Sequence, residues 1–241
     1  MRIVVFGDWH GFTQFALRQL RRYREDPPDH YLHVGDFGVW PHTLIEGGYI
    51  DLVEEELSRQ GRELWFVDGN HEHFPTLKRL PVGKDGLIRV TDHIKYIPRG
   101  HMWEWGDTLF MGMGGAISVD RDYRTVGHDY FYEEAITTDD IDRALDELKG
   151  VPGRDVDIII SHDSFILPPS LPNLSMLPSL ISDVKDNRRL LLELVNEVNP
   201  KTLIHGHYHV PHRAVSENGV EVVGLGSNFQ SFEENSLELN I

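Results

Sequence analysis

The sequence predicts an α/β fold on three observations. Short apolar runs rich in Val and Ile recur along the chain, bounded by Gly, Asp or Asn. Apolar residues at helical spacing fill the gaps between several of them. In the last third the runs crowd together around a turn-like "SENG" at 216–219. Strand, helix, strand, helix is the order of an α/β sheet, and the late hairpin makes part of it antiparallel.

Taken in order, strand-length runs occupy 3–6, 31–34, 64–67, 109–113, 156–160, 202–204 and 220–223. A first helical face carries Phe12, Phe15, Ala16, Leu20 and Tyr23, and a second carries Ile50, Val53 and Leu57. Ile141, Ala144, Leu145 and Leu148 form a third, with Thr137 or Thr138 placed to cap it. Leu190, Leu191, Leu194, Val195 and Val198 form a fourth. Residues 165–181, "FILPPSLPNLSMLPSLI", break the pattern. Their prolines exclude a continuous helix and predict a long extended loop, reaching to about residue 186. Such a loop serves as a lid, a subunit interface or a segment packed on itself. The sequon "NLS" at 173–175 carries no meaning in a cytosolic chain.

Composition sets the outer limits. The 241 residues suffice for a large core, and one domain over 1–241 is expected. No run approaches 18 apolar residues, so no membrane span is expected. The first residues lack a basic, then apolar, leader with a small-residue cleavage site, and there is no cysteine. Both point to the cytoplasm, and the second excludes disulfides, thiolate metal sites and thiol nucleophiles. A formal charge of −16 repels polyanions and argues against broad nucleic-acid binding. It still allows a small anionic substrate where a bound metal inverts the local potential. Self-association is compatible with this composition.

The 14 histidines matter by position. After the first strand comes "GDWHG" with Asp8 and His10, and after the second "VGDFG" with Asp36. The third is followed by "DGNHE" with Asn70 and His71, and "VDIII" by "SHD" with His162. After "KTLI" comes "HGHYH", with His207 and His209. One such residue is ordinarily a loop polar group. Five strand ends that each deliver a metal-competent side chain describe a site, because sites assemble at strand ends in open α/β sheets. Gly7, Gly35, Gly69 and Gly206 stand just before these residues, where a missing Cβ lets the backbone turn and approach closely.

The ordered blocks Asp8-Trp9-His10, Gly35-Asp36, Gly69-Asn70-His71-Glu72, His162 and Gly206-His207-Tyr208-His209 resemble those of the calcineurin-like metallophosphoesterases. The resemblance runs from residue 3 to about 224, and "GGAISVDRDYR" at 114–124 is similar to a stretch in small bacterial and phage members. It implies a four-layer sandwich of two mixed sheets with helices outside. It also implies two divalent transition-metal ions, one held by Asp8, His10, Asp36 and His209, the other by Asp36, Asn70, His162 and His207. Asp36 would be shared between them, with its two oxygens available for bridging. Imidazole and carboxylate ligands suit manganese, iron or zinc. Two ions roughly 3.5–4 Å apart would acidify a bridging water for in-line attack on a phosphoester, with His71 as the acid for the leaving group.

The blocks depart from two branches of that family. "GDFGVW" lacks the Asp-Arg-Gly of the protein phosphatases, and Val39 stands where the repair nucleases carry histidine. A small phosphodiesterase acting on soluble or nucleotide esters, cyclic nucleotides included, is the expected activity. The alternatives are a phosphomonoesterase, a protein phosphatase or a non-catalytic scaffold. Arg121 and Arg124 are candidates to grip phosphate oxygens, and equally ordinary surface arginines. Asp68 or Glu72 could orient His71 or lie further out. Tyr208 should point away from its histidine neighbours, and His101 and His128 are expected at the surface.

Overall fold

The computed structural model describes every residue except 152, 154 and 172–175. One sheet contains β1 (Arg2–Phe6), β2 (His30–His33), β3 (Leu64–Phe66), β4 (Ile88–Arg89), β5 (Ile94–Tyr96) and β12 (Ser236–Asn240), in the order β12-β1-β2-β3-β5-β4. The other contains β6 (Met102–Trp105), β7 (Thr108–Met113), β8 (Ile158–Ser161), β9 (Thr202–His205), β10 (His212–Val215) and β11 (Glu221–Gly224), in the order β10-β11-β9-β8-β7-β6. Each sheet has a central set of parallel strands and an antiparallel strand at each edge. The helices α1 (Thr13–Arg21), α2 (Tyr49–Gln60), α4 (Thr138–Lys149) and α5 (Pro178–Val198) cover the outer faces, and α3 (Phe74–Leu77) is a single turn.

The central strands are mostly apolar because both of their faces are buried. In β1, Ile3 and Val5 join Val34, Phe110, Ile160 and Ile204 in the core between the sheets. Val4 and Phe6 point the other way, into a core with Leu20 of α1 and Val53 of α2. On the far side, Met111, Ile159 and Leu203 pack against Ile141 of α4 and Leu191 and Leu194 of α5. The layers are therefore helix, sheet, sheet, helix, as the resemblance implied.

Thr137 caps α4 with a reciprocal capping box to Asp140. The "SENG" turn joins β10 to β11 as an antiparallel pair. One expectation is corrected: α5 starts at Pro178, so residues 178–186 are helix rather than loop. Proline fits the first helical position because the N–H it lacks would have no partner there. The sequon and the centre of the proline-rich segment lie outside the described residues. Among the described residues, no helix is long and apolar enough to cross a membrane.

The contact between α1 and α2 contains a charged latch. The side chain of Glu56 is 1% exposed and accepts bonds from Arg21, Arg24, Arg59 and Gln60. Burial pushes its carboxyl up, but bonds from Arg24, Gln60 and Arg21 prevail and hold it at about 2. A depressed folded-state pKa adds stability above the unfolded value and loses it as pH falls through the folded one. Glu56→Gln should therefore cost about 1–3 kcal/mol at pH 7, an amount limited by the exposure of the arginines. Urea midpoints should show that deficit shrinking between about pH 5 and 2; a deficit independent of pH would mean packing, not charge.

Candidate metal centre

The parallel strands of both sheets end beside one another, and the loops that follow them carry the candidate residues. Asp8 and His10 follow β1, Asp36 follows β2, Asn70 and His71 follow β3, His162 follows β8, and His207 and His209 follow β9. His10, Asp36, His207 and His209 have positive φ, between 50° and 65°. Among the described residues, the other non-glycine residue in that region is Asn199, just past the end of α5. Left-handed backbone at four non-glycine positions stores strain, and such strain collects where side chains must be aimed.

Two groups form around Asp36. In the first, Asp8, His10, Asp36 and His209 each offer a ligand atom, all within 4.8 Å of one another. His10 Nε2 lies 3.2 Å from Asp36 Oδ2, and His209 Nε2 lies 3.2 Å from Asp8 Oδ2. In the second, Asn70 Oδ1 lies 3.1 Å from His162 Nε2 and 2.9 Å from His207 Nδ1. His162 Nε2 is also 3.4 Å from Asp36 Oδ2. One oxygen of Asp36 thus faces both groups. The other, Oδ1, accepts the backbone N–H of His71 at 2.7 Å, so the two oxygens are not divided between the groups.

Each side chain is aimed from behind. His162 Nδ1 donates to Val34 O, which leaves the Nε2 lone pair pointing inward. His10 Nδ1 lies 2.8 Å from Asn228 Oδ1, with the same result for its Nε2. Asn70 donates its amide N–H to Ser118 Oγ, which turns its carbonyl oxygen to the histidines. Ser118 is held in turn by Glu134 through its N–H and its hydroxyl. Tyr208 points away, as expected, and donates to Asp163, which is anchored by Asn187. That anchor explains the spacing of "HGHYH": His207 enters one group, Tyr208 turns back, and His209 enters the other.

Lone pairs converging in this way repel one another unless a proton or a metal ion lies between them. Among the described residues, the buried Oδ1 of Asp8 finds no hydrogen-bond partner. Asp36 and Asp8 overcome the effect of burial and raise His10 to about 9 and His162 to about 10, so the field favours positive charge. The donor set is carboxylate oxygen, amide oxygen and imidazole nitrogen, which fits divalent transition metals.

His71 lies beside this cluster, its ring centroid 5.2 Å from that of His10. Its backbone is pinned by Asp36 Oδ1 and by Trp40 Nε1, which donates to His71 O. Arg124 Nη2 lies 2.9 Å from His71 Nε2 and is also bonded to Asp120. Burial, followed by Arg124 and His10, holds the His71 imidazole below its usual pKa, against the pull of Asp36. Neither neighbouring acid orients it. Asp68 is paired with buried Arg99, and Glu72 accepts the N–H groups of Phe37, Gly38 and Val39, fastening the loop after Asp36. Arg121 turns away to pair with Asp183 and lines a cavity of about 540 Å³ that includes none of the cluster residues. His128 is exposed and His101 half-buried.

Ser118, Asn228 and Asp163 were missed in the sequence, yet two of them obey the rule that found the others. Ser118 follows β7 and Asn228 follows β11, both parallel strands ending on the same side, each after a short glycine-containing stretch. Asp163 stood beside His162 in "SHD".

Known structures share this architecture. A dimetal phosphatase from Danio rerio aligns over 95% of this chain and 88% of its own, at 13% identity and TM-score 0.56. Phosphopantetheinyl hydrolase from Mycobacterium tuberculosis aligns over 94% and 90%, at 10% identity and TM-score 0.55. GAP50, described as the anchor in the inner membrane complex of Plasmodium, aligns over 96% and 73%, at 14% identity and TM-score 0.56. At these identities the likeness is one of fold. No curated protein matches in sequence. A sequence profile described as calcineurin-like phosphoesterase matches residues 1–211. The chain belongs to the calcineurin-like phosphoesterases.

Proposed function

We propose that this chain is a phosphodiesterase for small soluble or nucleotide esters, cyclic nucleotides among them, working with two divalent ions of manganese, iron or zinc. The observation that carries this is the meeting of two ligand groups on one oxygen of Asp36. Asp8, His10, Asp36 and His209 would hold one ion, and Asp36, Asn70, His162 and His207 the other. When bound, the ions supply Lewis-acid stabilisation of phosphoryl charge and lower the pKa of water at the site.

The remaining work falls to the chain. Arg124 reaches the edge of the cluster on a guanidinium suited to phosphoryl oxygens. Its move from His71 to such an oxygen frees a ring nitrogen that can take up a proton from solvent and hand it to the leaving oxygen. Asn228, Ser118 and the carbonyl of Val34 hold the ligand side chains in their working orientation. Arg121, engaged by Asp183, has no place in this scheme.

Metal-stripped protein titrated with manganese should regain hydrolysis of bis-p-nitrophenyl phosphate, faster than that of the monoester. A monoester rate equal to or above the diester rate would make it a phosphomonoesterase. No turnover with manganese, iron or zinc would leave a scaffold on the same fold.

A further inference from the structure

Phe229 is 78% exposed, although it sits on a turn beside the centre that is fastened by four hydrogen bonds. Ser227 donates its N–H and its hydroxyl to Gln230 Oε1, at 2.7 and 2.8 Å, and Gln230 N–H returns to Ser227 O. The N–H of Phe229 donates to Ser227 Oγ, and Asn228 between them orients His10. The Phe229 ring stands 6.4 Å from that of His10 and 6.3 Å from that of His209. Along the rim the order is therefore Phe229, His10, His71, Arg124. A phosphoryl group over His10 and His71 would have a cation on one side and a bare aromatic face on the other.

We propose that Phe229 is a stacking platform for a planar aromatic group of the ester, a nucleobase or an aryl leaving group. The inference rests on the phosphoesterase reading above and adds a substrate class to it. An exposed ring on mobile chain would be ordinary; held by a turn that also aims a candidate ligand, it is a preformed surface whose hydration a stacked ring would release. Stacking on such a face tolerates different rings, since each has a π surface.

Calorimetry on the manganese-loaded protein tests this with three phosphates: AMP, phenyl phosphate and ribose 5-phosphate. AMP or phenyl phosphate should bind about tenfold more tightly than ribose 5-phosphate. A preference for AMP identifies a nucleobase, and a preference for phenyl phosphate an aryl group next to phosphorus. Phe229→Ala should bring the ratio close to one and Phe229→Trp should keep it. The ratio of kcat/KM for 2′,3′-cyclic AMP over glycerol 1,2-cyclic phosphate should follow the same pattern. Ribose 5-phosphate binding with a ratio unchanged in Phe229→Ala would overturn the platform while the phosphoesterase reading stands. If the wild type bound none of the three and hydrolysed no ester, both would fall.

Discussion

Asp36→Asn should abolish phosphoester turnover, with a loss on the order of a thousandfold or more, and should empty at least one metal site. Asp36 Oδ2 is the atom that faces both His10 and His162. An amide of the same shape keeps the side chain in place but removes the charge shared by both groups. With the carboxylate gone, Asp8 is the remaining acid of the clustered residues. Replacing one oxygen by N–H also turns an acceptor into a donor aimed at histidine lone pairs or at the backbone N–H of His71. Metal content after dialysis and the rate on bis-p-nitrophenyl phosphate measure both effects. Full metal content with near-normal turnover would show that the ions, if any, are held elsewhere.

Gly69→Ala should produce a milder form of that defect from a residue that has no side chain. A Cβ at Gly69 would overlap the backbone nitrogen and the carboxylate of Asp36. The first cannot move without displacing the loop after β2, where Glu72 fastens three consecutive N–H groups. Overpacking of this kind costs about 1–3 kcal/mol of stability. The larger consequence is functional, because a displacement of Asp36 by even part of an ångström disturbs both ligand groups. We expect a rate loss of about a hundredfold or more with a modest fall in thermal midpoint. A variant that melts earlier but keeps full activity would show that the loop relaxes without moving the carboxylate. A Cβ at Gly206 would overlap the carboxylate of Asp8 and press on Val34, which offers a second, side-chain version of the test.

These two glycines show why so much of the site is legible in the sequence. The chemistry of this centre sits in short stretches directly after strands, and four of the five stretches carry the same signal: a residue without Cβ and then a metal-competent group. Asp8, His10, Asp36, Asn70, His207 and His209 announce themselves in that way, His162 after Ser161 shows only by its place at a strand end, and the structure brings all seven together. Arg124 and Arg121, three residues apart in one loop, could not be told apart. One meets His71 and the other meets Asp183, and only the path of the chain decides which.

The fold divides along similar lines. Helices α1, α2 and α4 and the central strands other than the three-residue β5 were visible because burial on one or two faces imposes a period on the sequence. The edge strands β4, β6, β10 and β12 were not, because a short strand with one solvated side leaves little pattern in two to five residues. Nor was the start of α5, where proline marks a helix beginning as readily as a loop.

By itself, then, the sequence determined the α/β class, the strand ends that carry chemistry and the identity of the metal-competent side chains, since all three are consequences of local pattern and composition. Tertiary structure alone decided that one oxygen of Asp36 faces both groups while the other is spent on a backbone N–H. It likewise decided that Ser118, Asn228 and Val34 aim the ligands and that Phe229 stands bare at the rim. The physical reason is the same in each case: these relations join residues as far as 219 positions apart, and the pairing of strands within each sheet and the packing of the two sheets back to back bring them together.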